Sequence, residues 1–216
     1  MERIEIKRGS AKFIRALDKV EQVQLWWHEN PEIPGLAFVG RSNVGKSSLI
    51  NSLFGQKTAK TSKTPGRTQK INIFTFQLEN DPEEKEYILY DLPGYGHAEV
   101  SKSMAKNWRE TMGEFLNSMN DSSLVVNIQD SRHPNQKSDQ VFYDYINTKL
   151  VPIFLVFNKL DKLKKQKERA ALDKLKPQIY QAYKMVKQIH FVSAEKKTGL
   201  DALEGSIISF LKDPKF

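Results

Sequence analysis

Apolar and polar positions follow two periods along this chain, and the changes of period mark its elements. Leu36-Ala37-Phe38-Val39 is a continuous apolar run behind the turn signal Pro34-Gly35, the pattern of a strand buried on both faces. From Lys46 to Phe54 the spacing becomes helical, with Leu49, Ile50, Leu53 and Phe54 on one side and Gly55 placed to end it. Ile71, Ile73 and Thr75 alternate with Asn72, Phe74 and Phe76, and Glu86 to Tyr90 follows an acidic turn, so the two runs predict a β-hairpin. Further strands are expected at Leu124 to Ile128, Val151 to Phe157 and Gln188 to Val192. Three helices complete the alternation. One carries Val141, Phe142, Tyr145 and Ile146; one carries Leu172, Leu175, Ile179 and Tyr183 across a break expected at Pro177; the last carries Leu200, Leu203, Ile207 and Leu211. Near the start, Ile4 and Ile6 alternate with charge like a short edge strand, whereas Phe13, Ile14, Leu17 and Val20 have helical spacing. Trp26-Trp27 is expected to cover the core, since each ring buries a large apolar area. The alternation predicts a three-layer α/β fold: a mostly parallel sheet of about six strands with one antiparallel hairpin strand and helices on both faces.

The first strand and helix are joined by Gly40-Arg41-Ser42-Asn43-Val44-Gly45-Lys46-Ser47, followed by Ser48. This fits the phosphate-binding pattern of glycine, four variable residues, glycine, lysine and serine. At that junction the helix N–H groups and dipole favour bound anions; Lys46 reaches the β and γ phosphates, and the Ser47 hydroxyl can ligate Mg²⁺. The plain alternative is a glycine-containing turn with a surface lysine. Gln56 to Gln69 is polar, rich in Lys and Thr and carries Pro65-Gly66, which suits a loop that closes on Mg²⁺ and the γ-phosphate through a threonine. Thr68 is preferred over Thr64 for that role because it lies next to the strand, within Gly66-Arg67-Thr68-Gln69. Asp91-Leu92-Pro93-Gly94 ends the hairpin: Asp91 can hold the Mg²⁺ shell through water, and the Gly94 N–H can meet the γ-phosphate. Tyr95-Gly96-His97 and the polar run to Lys106 form a second switch candidate. Asn158-Lys159-Leu160-Asp161 follows an apolar strand. The Asp161 carboxylate can accept two hydrogen bonds from guanine that adenine does not offer. Lys159 can lie over the base, Asn158 can brace the phosphate loop, and backbone N–H groups after Val192, in Ser193-Ala194-Glu195, can support guanine O6.

Composition narrows the classes. A chain of 216 residues can form one sizeable α/β domain, read here as residues 35–216 with 1–34 as an extension packed on it. The absence of cysteine excludes a disulfide framework, a thiolate zinc site and a cysteine nucleophile. Met1 to Ser10 is charged and lacks a signal-peptide apolar stretch, and no apolar run approaches the ~20 residues of a membrane span, so a cytoplasmic protein without a membrane partner is expected. Net charge is +8, unevenly placed: Lys159 to Lys187 holds ten Lys/Arg against three Asp/Glu, and Gln56 to Lys70 holds five with no acid. Either an anionic partner, with nucleic acid the first candidate, or a solvated helix face accounts for this.

The five stretches, in this order, resemble the TRAFAC-class P-loop GTPases. Gly40 to Ser48, Thr64 to Gln69 and Asp91 to Gly96 resemble the EngB family of bacterial ribosome-assembly GTP-binding proteins, over nearly the whole chain. The family often has threonine where this chain has Asn158; asparagine is usual in GTPases at large. The resemblance implies the P-loop GTPase fold, GTP and GDP as ligands, Mg²⁺, GTP hydrolysis with Lys46, Thr68 and Gly94 at the reacting phosphate, and a monomer. It further implies assembly of the large ribosomal subunit or its precursor, with rRNA contacted by Lys/Arg between Lys159 and Lys187, and a link to cell division and septation. Tyr95 stands where Ras-like enzymes place a water-orienting glutamine, so slow intrinsic hydrolysis is expected, with His97 as a substitute orienter. Asn43 occupies a position that binds an activating K⁺ in related GTPases. Two rivals stay open: a P-loop kinase, which would prefer ATP, and a nucleotide-gated RNA-binding module with negligible hydrolysis.

Overall fold

The computed structural model describes residues 2–55, 57–59, 70–95, 102–119, 121–149 and 151–213. In chain order these form β1 (Glu5–Ile6), β2 (Lys12–Leu17), α1 (Val20–Glu29), β3 (Gly35–Gly40), α2 (Lys46–Phe54), β4 (Ile71–Glu79), β5 (Glu86–Asp91) and α3 (Lys102–Ser118). β6 (Ser123–Asp130), α4 (Lys137–Ile146), β7 (Ile153–Asn158), α5 (Gln166–Ala182), β8 (Val186–Phe191) and α6 (Leu200–Lys212) follow. The sheet order is β1, β4, β5, β3, β6, β7, β8, with β2 also paired to β4. β5, β3, β6, β7 and β8 run parallel, while β4 is antiparallel to β5, and β1 and β2 are antiparallel to β4. This is the expected mostly parallel α/β sheet, extended at one edge by strands from the first twenty residues.

Because the central strands are parallel and buried on both faces, alternate residues feed two cores. Ala37 and Val39 join Trp26, Trp27, Phe115, Phe142 and Leu172 under α1, α3, α4 and α5. Leu36 and Phe38 join Leu49, Phe54, Leu203 and Ile207 under α2 and α6. The two tryptophans are core residues, as expected; Trp26 Nε1 donates to the Tyr90 hydroxyl at 3.0 Å. Parallel running also gathers the carboxyl ends of β3, β5, β6 and β7 at one side of the sheet, where ligands of open α/β folds bind. No described helix is long and apolar enough to cross a membrane.

Three local expectations are corrected. Phe13, Ile14 and Leu17 lie on β2, not on a helix, because the free edge of β4 offers backbone partners; a bulge between Phe13 and Arg15 lets Phe13 sit edge-on to Phe74 at 5.5 Å. α5 runs through Pro177 without a break, the lost backbone bond being offset by burial of Leu172 and Ile179 on either side. On α4, Val141 and Tyr145 are exposed, and the buried stripe is Asp139, Phe142, Tyr143 and Ile146. A carboxylate inside an otherwise apolar stripe disguised the true face.

Candidate functional site

β3 delivers Gly40 to the loop and α2 takes the chain up again at Lys46. Gly45 turns the corner with φ at 93°, and a Cβ there would come within 2.4 Å of Asn158 Nδ2, so glycine is required twice over. The first internal bond of α2 runs from the Leu49 N–H to the Gly45 carbonyl at 2.9 Å, and the amides ahead of it carry the positive end of the helix dipole. Lys46 Nζ is ion-paired with Asp91 at the end of β5. Beyond Asp91, Leu92 donates to the Phe38 carbonyl at 3.0 Å and Tyr95 to the Gly40 carbonyl at 3.2 Å, which lays Asp91 to Gly94 along the phosphate-loop strand. At Gly94 a Cβ would meet Ser42 Oγ at 3.0 Å and the Gly40 carbonyl at 3.2 Å, so its backbone sits directly against the loop. Sequence reading anticipated this junction, and the structure brings Gly40, Arg41, Ser42, Gly45, Lys46, Asp91 and Gly94 together. Asn43 is exposed in the left-handed region, with φ at 63°.

The second half is built by β7 and the turn after β8. Asn158, 2% exposed, donates through Nδ2 to the Val44 carbonyl at 3.0 Å and accepts the Ala194 N–H on Oδ1 at 3.1 Å. One side chain therefore ties the phosphate loop to the Ser193-Ala194 turn. Lys159, with φ at 65°, turns back so that Nζ meets the Asn43 carbonyl and Asp130 Oδ2, the latter at 2.9 Å. Leu160 donates its N–H to the Val192 carbonyl at 3.0 Å. Asp161 Oδ1 accepts the Ser193 hydroxyl at 2.6 Å, and that bond, with Lys162 assisting, holds its carboxyl below the usual range. Ser193 therefore acts through its hydroxyl. Its N–H goes to the Thr198 carbonyl and that of Ala194 to Asn158, so two of the N–H groups expected to face guanine O6 have partners within the chain.

Two carboxylates that the sequence reading missed complete the site. Asp130 ends β6 and receives both Arg132 Nε (2.9 Å) and Lys159. Burial alone would raise its pKa; the hydrogen bonds from Arg132 and Lys159 overcome this and hold it well below the ordinary carboxylate range. Asp139, buried on α4, accepts Arg41 Nε at 3.0 Å and the Tyr95 hydroxyl at 2.8 Å on the same oxygen. Its pKa is raised by burial, against the pull of Tyr95 and Arg41. Tyr95 also accepts from Asn127 Nδ2 at 3.0 Å and is 6% exposed, so its ring points into the core and away from the phosphate loop's open side. The available sequence signals were an Asp beside Arg132 at a strand end, and Gln136 three residues ahead of Asp139 as a helix cap.

Gly66, Arg67, Thr68 and Gln69, together with Thr64, Gly96 and His97, lie outside the described residues. Of the basic run, Lys164, Lys165, Lys167, Arg169 and Lys174 are exposed along α5 and the turn before it, while Lys176 rests over the Phe191 ring at 4.4 Å.

Residues 35–159 match the family model of 50S ribosome-binding GTPases. Over 203 residues the chain is 39% identical to the probable GTP-binding protein EngB of Campylobacter jejuni, covering 92% of this chain and 94% of that protein. The probable GTP-binding protein EngB of Prosthecochloris aestuarii is 37% identical over 196 residues, covering 90% and 95%. Among solved structures, Era in complex with MgGDPNP and nucleotides of 16S ribosomal RNA is similar with a TM-score of 0.66 and 26% identity, over 83% of this chain and 57% of that one. This chain thus spans little more than half the length of Era. A probable GTP-binding protein engB structure, 23% identical, shares the fold with a TM-score of 0.60 over 83% of this chain and 99% of that chain.

Proposed function

The chain belongs to the EngB family of GTP-binding proteins and is a GTPase, and from that premise we propose that it works as a Mg²⁺-dependent nucleotide switch in assembly of the large ribosomal subunit. The observation that carries the nucleotide reading is Asn158: bonded to Val44 and Ala194, it locks the phosphate loop and the base turn into one frame. In that frame Gly40 to Ser48 cradle the phosphates, and Lys46 exchanges Asp91 for the β and γ phosphates. Gly94 presents its N–H to the γ-phosphate. Asp161, steadied by Ser193, accepts from the guanine edge, while Lys159, steadied by Asp130, lines the base with Leu160, Val192 and Ala194. An adenine there would bring no matching pair of N–H donors to the Asp161 carboxylate, a mismatch that a site built to hydrogen-bond its ligand penalises strongly. A kinase has no use for that arrangement.

The donor chemistry fits magnesium: Ser47 and Asp91 supply hard oxygens beside Lys46. We assign Ser47 as a direct ligand, Asp91 as a ligand through water, and Thr68, with Gly66, Arg67 and Gln69 around it, as the closing contact. When bound, the ion supplies positive charge against that developing on the transferred phosphoryl group. Tyr95 is held in the core and so cannot orient the attacking water, which supports a slow intrinsic rate. Asn43 is the proposed K⁺ contact. The ribosomal partner is supported by the family's description, by the rRNA bound to Era, and by the exposed cations of α5 and its preceding turn. Cell division, septation and a monomeric state rest on the resemblance, and a cytoplasmic site on the charge and apolar pattern of the sequence.

The test is a fluorescent GDP titration with GDP, GTP and ATP as competitors, on wild type and Asp161→Asn. Competition by both guanine nucleotides and not by ATP, with the variant shifting toward xanthine nucleotides, is the expected result. Equal competition by ATP would remove the base-recognition argument.

A further inference from the structure

The polar cluster under α4 does more than fill the core. Asp139 is fully buried, yet both of its oxygens are engaged: Oδ1 accepts from Arg41 and Tyr95, and Oδ2 accepts the Gln136 N–H at 2.9 Å. Arg41 belongs to the phosphate loop, and its guanidinium also donates to the His133 carbonyl at 2.7 Å. Tyr95 is the immediate neighbour of Gly94, its backbone bridges to Arg41, and its ring stacks on Phe142 at 4.9 Å with planes 8° apart. Its hydroxyl is engaged in both directions, with one bond donated to Asp139 and one accepted from Asn127, which in turn accepts the Tyr143 hydroxyl at 2.9 Å. An apolar pocket would hold the ring in place at lower desolvation cost. A buried carboxylate shared by these two partners does something packing alone does not, because it sets the phosphate loop and the residue beside Gly94 at a defined separation.

Resting on the nucleotide-site reading above, we propose that Asp139 is a positioning residue for γ-phosphate recognition: through Tyr95 and Arg41 it fixes the Gly94 backbone against the phosphate loop, and so governs how the chain distinguishes GTP from GDP. GDP, which lacks the γ-phosphate, makes no contact with Gly94 and feels this link only through the phosphate loop. The separation between loss of GTP binding and loss of fold is therefore measurable in one preparation.

The experiment compares wild type, Tyr95→Phe, Asp139→Asn and Asp139→Ala for affinity toward GDP and a non-hydrolysable GTP analogue, alongside kcat and KM for GTP. Tyr95→Phe keeps the stacked ring and deletes only the hydroxyl. Asp139→Asn keeps an acceptor for Tyr95 while losing the charge opposite Arg41, so it should partly rescue what Asp139→Ala loses. Loss of one buried hydrogen bond to a charged group should weaken the analogue about tenfold and lower kcat by a similar factor, with GDP affinity within about twofold of wild type on the same reasoning that no γ contact is involved. Equal weakening of both nucleotides, or no change in either, overturns the proposal, since the first makes Asp139 a residue of general stability and the second makes the link inert. Failure of wild type itself to bind guanine nucleotides would overturn the site reading, and this inference with it, and is recognised because it precedes any substitution.

Discussion

Truncating Asn158 to alanine is the sharpest test of the frame that joins the two halves of the site. The side chain is 2% exposed and satisfies one buried carbonyl, that of Val44, and one buried N–H, that of Ala194. Alanine leaves both without their partner, and each orphaned buried group costs about 1–3 kcal/mol, so the variant should lose roughly 2–6 kcal/mol of stability. In a domain of this size that corresponds to a fall in Tm of roughly 4–24 °C. Because the orphaned groups belong to the phosphate loop and the base turn, part of the loss must appear in binding. If about 1.4 kcal/mol is charged to ordering the loop, GDP binds about tenfold more weakly. Urea denaturation with and without saturating GDP measures both quantities on the same samples. Asn158→Asp should do no better, since it keeps an acceptor for Ala194 but turns a carboxylate toward the Val44 and Gly45 carbonyls. A variant within about 0.5 kcal/mol of wild type, the range of ordinary surface substitutions, and with unaltered GDP affinity would refute the view that Asn158 couples the two halves.

Two further outcomes test other parts of the molecule. Charge reversal at Lys164, Lys165, Lys167 and Arg169 should weaken binding to large-subunit particles and flatten the dependence of log K on log salt by about 3 units; an unchanged slope in a cosedimentation series would show that these cations face only water. His190 on β8 is driven by burial to a pKa of about 4, below its ordinary 6.5. The unfolded chain therefore binds this proton between pH 6.5 and 4 while the native chain does not, so stability is present above pH 6.5 and declines as pH falls through that window. After allowance for partial exposure, His190→Gln should retain about 1 kcal/mol more of its neutral-pH stability at pH 4, and parallel urea curves at pH 7 and pH 4 for both proteins check it.

The sequence by itself determined where the polar ends of the strands fall. Gly45 had to be glycine because its backbone lies in the left-handed region, and Lys46 and Ser47 follow it at a helix start, a relation carried by spacing alone. The positions of Asp91 and Asn158 were equally legible, since each ends an apolar run whose period is local, and Asp161 follows three residues after Asn158. Only the tertiary structure decided what depends on a partner strand or helix. Phe13, Ile14 and Leu17 have helical spacing with Val20, yet the free edge of β4 draws them into a strand at its own register. Val141 and Tyr145 looked buried until α4 turned Asp139 inward to meet Arg41, 98 residues earlier in the chain. Asp130, Asp139 and Tyr95 took on their roles the same way. A carboxylate in a sequence reads as solvated, and its burial becomes intelligible when the fold brings Lys159, Arg41 and a tyrosine hydroxyl to it, because only paired charge is stable out of water.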